Sequence, residues 1–509
     1  MNSIIWFKKD LRISDHLPLI NYKKNNKIIP LYIIEPLFWQ EEDTSNRHFQ
    51  FLHDCLTSLN TELENLGGKL IIKIGEAEEI LAKIISQYEI NEILAHQETG
   101  NNFTYQRDLK IISLCQKNNI KFKEFQQFGV IRALKSRDQW SKYRDEIINQ
   151  TPYKAPKTLS FLEDLSSDKL PNKSSFGSKN PTFAEIQKGG RKAALSTLKS
   201  FLQNRGKNYQ FEMSSPLTAT TSCSRISPYI SYGCISIREI NYYLNKKTAK
   251  LKENKNPENN KWLRSLYSFR SRLYWHCHFI QKLEDEPEIE YEAIHKSYNN
   301  WPYEQDNPYF KAWCTGKTGF PFIDSCMRSL IATGWLNFRM RAMLVSFASY
   351  QLNIDWRLTA KYLAKLFTDY EPGIHYSQIQ MQSNNSGINI PRIYNPIKQS
   401  YYQDKNGIFI KKWLPELKNI SEEFIHEPWK IKNSLQEKPD ISSYPEPIIN
   451  LEEATKQARE RIKSLRKSEN FGAESARVLL KHGSRKTRTN KKTRKKPVKE
   501  TKNQLTLDL

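Results

Sequence analysis

Residues 1–34 read MNSIIWFKKDLRISDHLPLINYKKNNKIIPLYII, in which two short apolar runs, Ser3–Phe7 and Lys27–Ile34, flank a polar stretch. Both runs are rich in isoleucine and aromatic residues and have the length of a strand. The same kind of run returns at Lys69–Ile74, Glu92–Ala95 and Lys121–Phe125, after 34, 17 and 25 residues of helical pattern or loop. Strands that alternate with helices in this way form a parallel sheet covered by helices. The spacing therefore predicts a doubly wound α/β domain over residues 1–130. No G-x-G-x-x-G follows any of the five runs, so this half lacks the glycine turn that cradles a dinucleotide pyrophosphate.

Beyond it, Thr151–Pro181 shifts to Ser, Pro, Lys, Asn and Gly without periodicity, which predicts an interdomain connection over 131–195. A mostly α-helical domain is then expected over 196–470. Met340, Met343, Leu344 and Phe347 fall at helical spacing, as do Leu451, Ala454, Ala458, Ile462 and Leu465. Asn450 followed by Glu453 fits a capped start for the latter helix. Residues 471–509 are expected to form a basic, disordered tail, because Lys481–Lys502 holds eleven Lys or Arg, one acid and no aromatic residue.

The chain has 509 residues and 79 Lys+Arg against 55 Asp+Glu, a formal charge of +24. The tail holds less than half of that excess, so the folded body is basic too and suits a polyanionic partner. No apolar run approaches the roughly 18–20 residues of a membrane span, and the N-terminus carries charges where a secretory signal would be apolar. A cytoplasmic protein without a membrane partner is expected. Seven cysteines without a C-x-x-C pair read as reduced thiols. Gly316-Lys317-Thr318 fails as a P-loop, since Lys311 stands where the first glycine belongs. His276 and His278, two apart, point to different sides of a helix, so no metal site is expected.

Between Trp262 and Tyr402, six tryptophans are interleaved with arginines such as Arg264, Arg272, Arg328, Arg341 and Arg392. These residue types suit a flat aromatic ligand beside a nucleic-acid surface, and equally an ordinary helical core with a solvated cationic face. The order of longer motifs narrows this. WFKKDLRISDHLPL at 6–19, CSRISPYISYGCISIRE at 223–239, GKTGFPFIDSCMRSLIATGWLNFRMRAM at 316–343, IDWR at 354–357 and PRIYNPIKQS at 391–400 together resemble the photolyase/cryptochrome family.

The resemblance implies FAD in the helical domain, an optional second light-harvesting chromophore at the α/β domain, and blue-light-driven electron transfer. By the same resemblance Tyr209 and the turn Cys223, Ser224, Arg225, Ile226 and Ser227 match the segment that binds the FAD phosphates. Arg341 and Asp369 match the ion pair beside the flavin ring, with Tyr370, Glu371 and His375 in the adjoining columns. Trp275 stands where the family stacks its lesion, and Arg339 and Gln399 join it on the expected DNA face. Trp356 matches the middle member of the family's three-tryptophan electron path, with Trp301 as its outer member.

Two departures bear on function. Arg272 occupies the place of the glutamate that assists repair of cyclobutane dimers, a change from an acid to a cation. His375 and Ile379 replace an asparagine beside the flavin and the first tryptophan of the path, and isoleucine carries no electron. Arg272, Trp275 and His375 are thus the candidate catalytic residues. The reading is a monomeric, FAD-dependent photolyase-like enzyme acting on pyrimidine dimers in DNA. The alternatives are a cryptochrome-like photoreceptor without repair turnover and a flavin-free nucleic-acid-binding protein.

Overall fold

The computed structural model describes residues 1–178, 186–254, 256–304, 306–433 and 443–483. Five parallel strands, β1 (Asn2–Phe7), β2 (Lys27–Ile34), β3 (Ile71–Ile74), β4 (Ile90–His96) and β5 (Lys121–Phe125), stand in the order β3-β2-β1-β4-β5. This is the doubly wound sheet that the strand spacing predicts. β3 is shorter than expected: its pairing with β2 begins at Leu31, just past Pro30, which has no N–H to give.

Alternation along β1 feeds two cores. Ile4 and Trp6 join Ile29, Leu31, Ile93 and Ala95 on one face, beneath Leu81, Ile84 and Ile111 of the helices Ala77–Gln87 and Asn102–Lys117. Ile5 and Phe7 face the other way, onto Phe49, Leu52 and Leu56 of the helix Asn46–Glu64. That second core runs on without a break to Phe201, Tyr229, Leu266, Phe269 and Leu273, so the sheet and the first part of the helical body share apolar interior. Strands covered on both faces read as continuous apolar runs, which is why they were legible.

The helical body is built on the long helix Pro257–Asp285 and a further core around Trp313, Phe322, Met340, Phe347, Trp356 and Leu363. Gly373 lets the helix Pro372–Gln382 lie against it: a Cβ there would sit 2.7 Å from the Ile280 Cα. Asn450 does cap the helix Leu451–Arg466, its Oδ1 accepting the N–H groups of Glu452 and Glu453.

Two expectations are corrected. The 131–195 connection contains a helix, Trp140–Ile148, whose buried Trp140, Arg144 and Ile148 recur every four residues. The tail does not start at 471, because Phe471–His482 forms a helix. Phe471 packs on the His295 ring at 4.2 Å, and His482 Nε2 lies 2.7 Å from the buried Glu286 carboxylate. Residues 484–509, with most of the basic block, lie outside the described residues. Among the described residues no helix is long and apolar enough to cross a membrane.

Candidate cofactor and nucleic-acid site

The turn Cys223–Ile226 links the helices Pro216–Ser222 and Ser227–Ser231, and it is fixed from below by Arg205. That guanidinium donates to the carbonyls of Thr197, Thr221, Cys223 and Ser224. Within the turn, Arg225 has φ +58, a conformation most side chains avoid. Its carbonyl accepts from Gln187 Nε2 at 2.7 Å, and its guanidinium lies over the Trp335 ring at 4.1 Å. Ser224 Oγ accepts the Ile226 N–H at 3.5 Å, and Ile226 itself is buried.

Around the Cys223 thiol, which burial pushes up to about 12, gather the guanidiniums of Arg225, Arg205, Arg341 and Arg272. Arg272 comes from the long helix and meets the buried Tyr209 hydroxyl. Arg341 is paired: its two terminal nitrogens donate to the two Asp369 oxygens, both at 3.0 Å, and its plane lies on Phe367 at 4.0 Å. Ser227 Oγ donates to Asp369 at 2.6 Å. Burial alone would raise the Asp369 pKa, but the charge and hydrogen bonds of Arg341 and the Ser227 hydroxyl hold it below the ordinary value. The Ser227 hydroxyl, expected on a phosphate, is thus committed to Asp369.

The residues after Asp369 diverge. Tyr370 donates its hydroxyl to Asp43 of the α/β domain and stacks on His48. Glu371 accepts from Ser231 Oγ at 3.3 Å and lies 3.9 Å from Lys9 Nζ. Both side chains therefore reach towards the α/β domain, whereas Asp369 stays with the guanidiniums. His375 is buried, and burial lowers its pKa to about 4, so the ring is neutral near pH 7. Its Nε2 lies 2.9 Å from the Ala360 carbonyl and must carry the proton, which leaves Nδ1 as an acceptor. With its Nε2–H given to that carbonyl, the ring has no N–H left to donate elsewhere.

Trp275 stands one turn from Arg272 on the long helix, the i, i+3 spacing that shares a face. It is half-buried, its Nε1 donates to Ser271 Oγ, and its ring meets Phe279 at 5.3 Å. Arg339 Nε and Gln399 Oε1 are buried without a partner. Trp356 is fully buried. Trp301 donates to Asn353 Oδ1 at 3.0 Å and stacks on Tyr298, with centroids 5.7 Å apart and planes 17° apart. Among the described residues the rings touching Trp301 are tyrosines, Tyr298 and Tyr303, and no ring contact joins it to Trp356.

Sequence reasoning missed Arg205, an isolated arginine in the polar segment QNRGKN without any pattern to mark it. It also missed a buried triad in the α/β domain, where Asp10 Oδ2 lies 2.8 Å from His16 Nε2 and 2.7 Å from His96 Nδ1. His16 Nδ1 accepts the Leu19 N–H, so its proton is on Nε2 and points at Asp10.

The residues fit FAD on chemical grounds. With Arg341 neutralised by Asp369 and Arg205 held on carbonyls, Arg225 and Arg272 bring positive charge to a half-buried turn, and Arg225 Nε is buried without a partner. Uncompensated buried charge is costly, and a pyrophosphate supplies the missing anion. The family models agree: that of the "FAD binding domain of DNA photolyase" matches residues 269–464, and that of "DNA photolyase" matches residues 3–139. The chain belongs to the photolyase/cryptochrome family.

Its relatives include both branches of that family. The deoxyribodipyrimidine photo-lyase of Alkalihalophilus pseudofirmus is 27% identical over 89% of this chain and 96% of its own. The cryptochrome DASH of Gloeobacter violaceus is 26% identical over 88% of this chain and 93% of its own. Among solved structures, the archaeal photolyase of Sulfolobus tokodaii, described with two FAD molecules and a novel light-harvesting cofactor, superposes with a TM-score of 0.74 at 26% identity, covering 91% of this chain and 100% of that one. FAD is the cofactor of this photolyase/cryptochrome chain, and the cluster around Cys223 and Asp369 is where its own residues suit it.

Proposed function

We propose that the chain is an FAD-dependent, blue-light-driven photolyase-like enzyme that reverses pyrimidine dimers in DNA by electron transfer. The observation that carries this reading is the pairing of Trp275 and Arg272 on one face of the long helix, with Arg272 reaching Tyr209 at the arginine cluster. Bound FAD supplies the electron. Around it, Tyr209 and the turn from Cys223 to Ile226 hold the phosphate end, with Arg225 as the charge, while Ser227 holds Asp369. Arg341 offers its guanidinium beside the ring, positioned by Asp369. His375 offers an acceptor at Nδ1, and Tyr370 and Glu371 fix the segment between them to the α/β domain. Trp275 presents a flat face on which an extruded pyrimidine dimer stacks, while Arg339 and Gln399 contact the DNA around it. Arg272 stabilises the negative charge that the lesion gains, electrostatically, in the place of the family's acid. Trp356 and Trp301 carry electrons from the surface. A second chromophore, as described for the Sulfolobus tokodaii structure, fits the same scheme, as does a monomer in the cytoplasm.

A photoreceptor without repair turnover is the second reading, favoured by Ile379, buried where the electron path would begin. Arg272→Ala separates the two. Repair predicts a loss of light-dependent lesion reversal of about 100-fold with DNA binding reduced far less. Arg272→Glu tests whether the family's usual acid functions in this setting. Equal losses of binding and reversal make Arg272 a phosphate anchor and remove it from the chemistry.

A further inference from the structure

We propose that the helix Leu451–Arg466 carries a second nucleic-acid contact, a groove for the phosphate backbone outside the lesion pocket; this rests on the DNA-binding reading above. The groove has a volume of about 550 Å³, with Pro391, Ile393 and Ile462 as its apolar floor and Arg459, Lys463, Arg466 and Lys467 as its walls. No acidic residue lines it. All four cations are exposed; among the described residues none of them has an ion pair to a carboxylate, and Arg466 donates to the Asn389 carbonyl at 3.1 Å.

The arrangement along the helix identifies this as more than a solvated face. Arg459, Lys463 and Lys467 stand at i, i+4 and i+8, and like charges at that spacing destabilise a helix by about 0.2–0.5 kcal/mol per pair. The other flank shows the ordinary solution: Glu452, Lys456 and Glu460 repeat at the same spacing with alternating sign. The helix dipole accounts for cations in the last turn, Lys463 and Arg466, but not for Arg459 a turn earlier. A row of cations about 6 Å apart along the axis, self-repelling and open to solvent, is completed by a polyanion.

The occupant is argued from continuity. Pro391 and Ile393 belong to the segment that leads into the helix Pro396–Gln403, which bears Gln399 of the expected DNA face. Arg392, between them, is exposed. A duplex whose lesion enters beside Trp275 therefore has its flanking backbone offered to this helix. Contacts of this kind position the duplex and read no sequence or damage.

The test is the salt dependence of binding by the full chain to a short duplex, with and without a pyrimidine dimer. The triple variant Arg459→Gln, Lys463→Gln, Lys467→Gln is expected to lower the log–log salt slope by about 2–3 on both duplexes. Lesion preference stays unchanged, and the melting temperature is equal or higher, since like-charge contacts are removed. A charge-matched control, Lys246→Gln, Lys250→Gln, Lys456→Gln, keeps the wild-type slope. An unchanged slope in the groove variant, or an equal fall in the control, overturns the groove while leaving DNA binding intact. Loss of binding to phosphatidylserine vesicles with DNA binding unaltered also overturns it, in favour of a membrane surface. Failure of the wild type to bind either duplex overturns both the groove and the DNA reading.

Discussion

Asp369 is the residue on which the proposed cofactor site turns. Its side chain is only 5% exposed, accepts both arms of Arg341 and takes the Ser227 hydroxyl. Asp369→Ala leaves Arg341 unpaired in a largely buried place, a loss of about 3 kcal/mol, and flavin retention after gel filtration should fall with it. Equal stability and equal flavin content in the two proteins would contradict the assignment. The sign of the pH dependence follows from the lowered pKa. The folded state binds fewer protons than the unfolded one, so the pair contributes fully above an aspartate's ordinary value of about 3.9. That contribution is lost as pH falls through the folded value. Wild type and Asp369→Ala should therefore differ by a constant amount from pH 5 to 8 and converge only in acid. At this scale the sequence was informative where a residue sits in a long motif, as Arg341 does. It was silent where a side chain acts through carbonyls, as Arg205 does, because carbonyls leave no mark in a sequence.

Between elements, the strongest tie from the α/β domain to the site is made at the start of the helix Asn46–Glu64. Arg47, fully buried, donates to the carbonyls of Leu330 and Leu366 at 3.1 and 2.8 Å and to that of Ile331. These are the C-terminal ends of two helices, where unpaired carbonyls collect. His48 Nε2 reaches the Phe367 carbonyl at 2.9 Å. Gly334 makes room: with φ +69, a Cβ there would stand 2.5 Å from the Arg47 guanidinium. Arg47 and His48 thus hold the segment that delivers Asp369. Arg47→Met should cost about 3 kcal/mol through the unsatisfied carbonyls and speed amide exchange in residues 366–370, with weaker flavin retention. Unchanged exchange there would show that the site stands without this tie. The central strands β1, β2 and β4 were readable because doubly covered strands are largely apolar, and the edge strand β5, KFKEF, by its interleaving of charged and aromatic residues. The helix Trp140–Ile148 was not, since its three buried positions lie in a polar stretch next to the long connection. The helix Phe471–His482 was obscured by the basic block that follows it, and its docking depends on partners nearly two hundred residues away, such as Glu286.

For the whole molecule, the body presents cations where an anionic duplex would lie and gathers arginines where a dinucleotide would sit, within a fold that photolyases and cryptochromes share. Charge and fold alone leave repair and light sensing equally served; Trp275 beside Arg272 is what tips the account towards repair. The most direct measurement follows defined cyclobutane and 6–4 lesions, in single- and double-stranded DNA, under blue light and in darkness, with the wild-type protein carrying fully reduced FAD. The account predicts that at least one lesion is restored to intact pyrimidines in the light and not in the dark. Reversal of neither lesion in either strand context, with flavin bound and DNA retained, would contradict repair and assign the chain to light sensing.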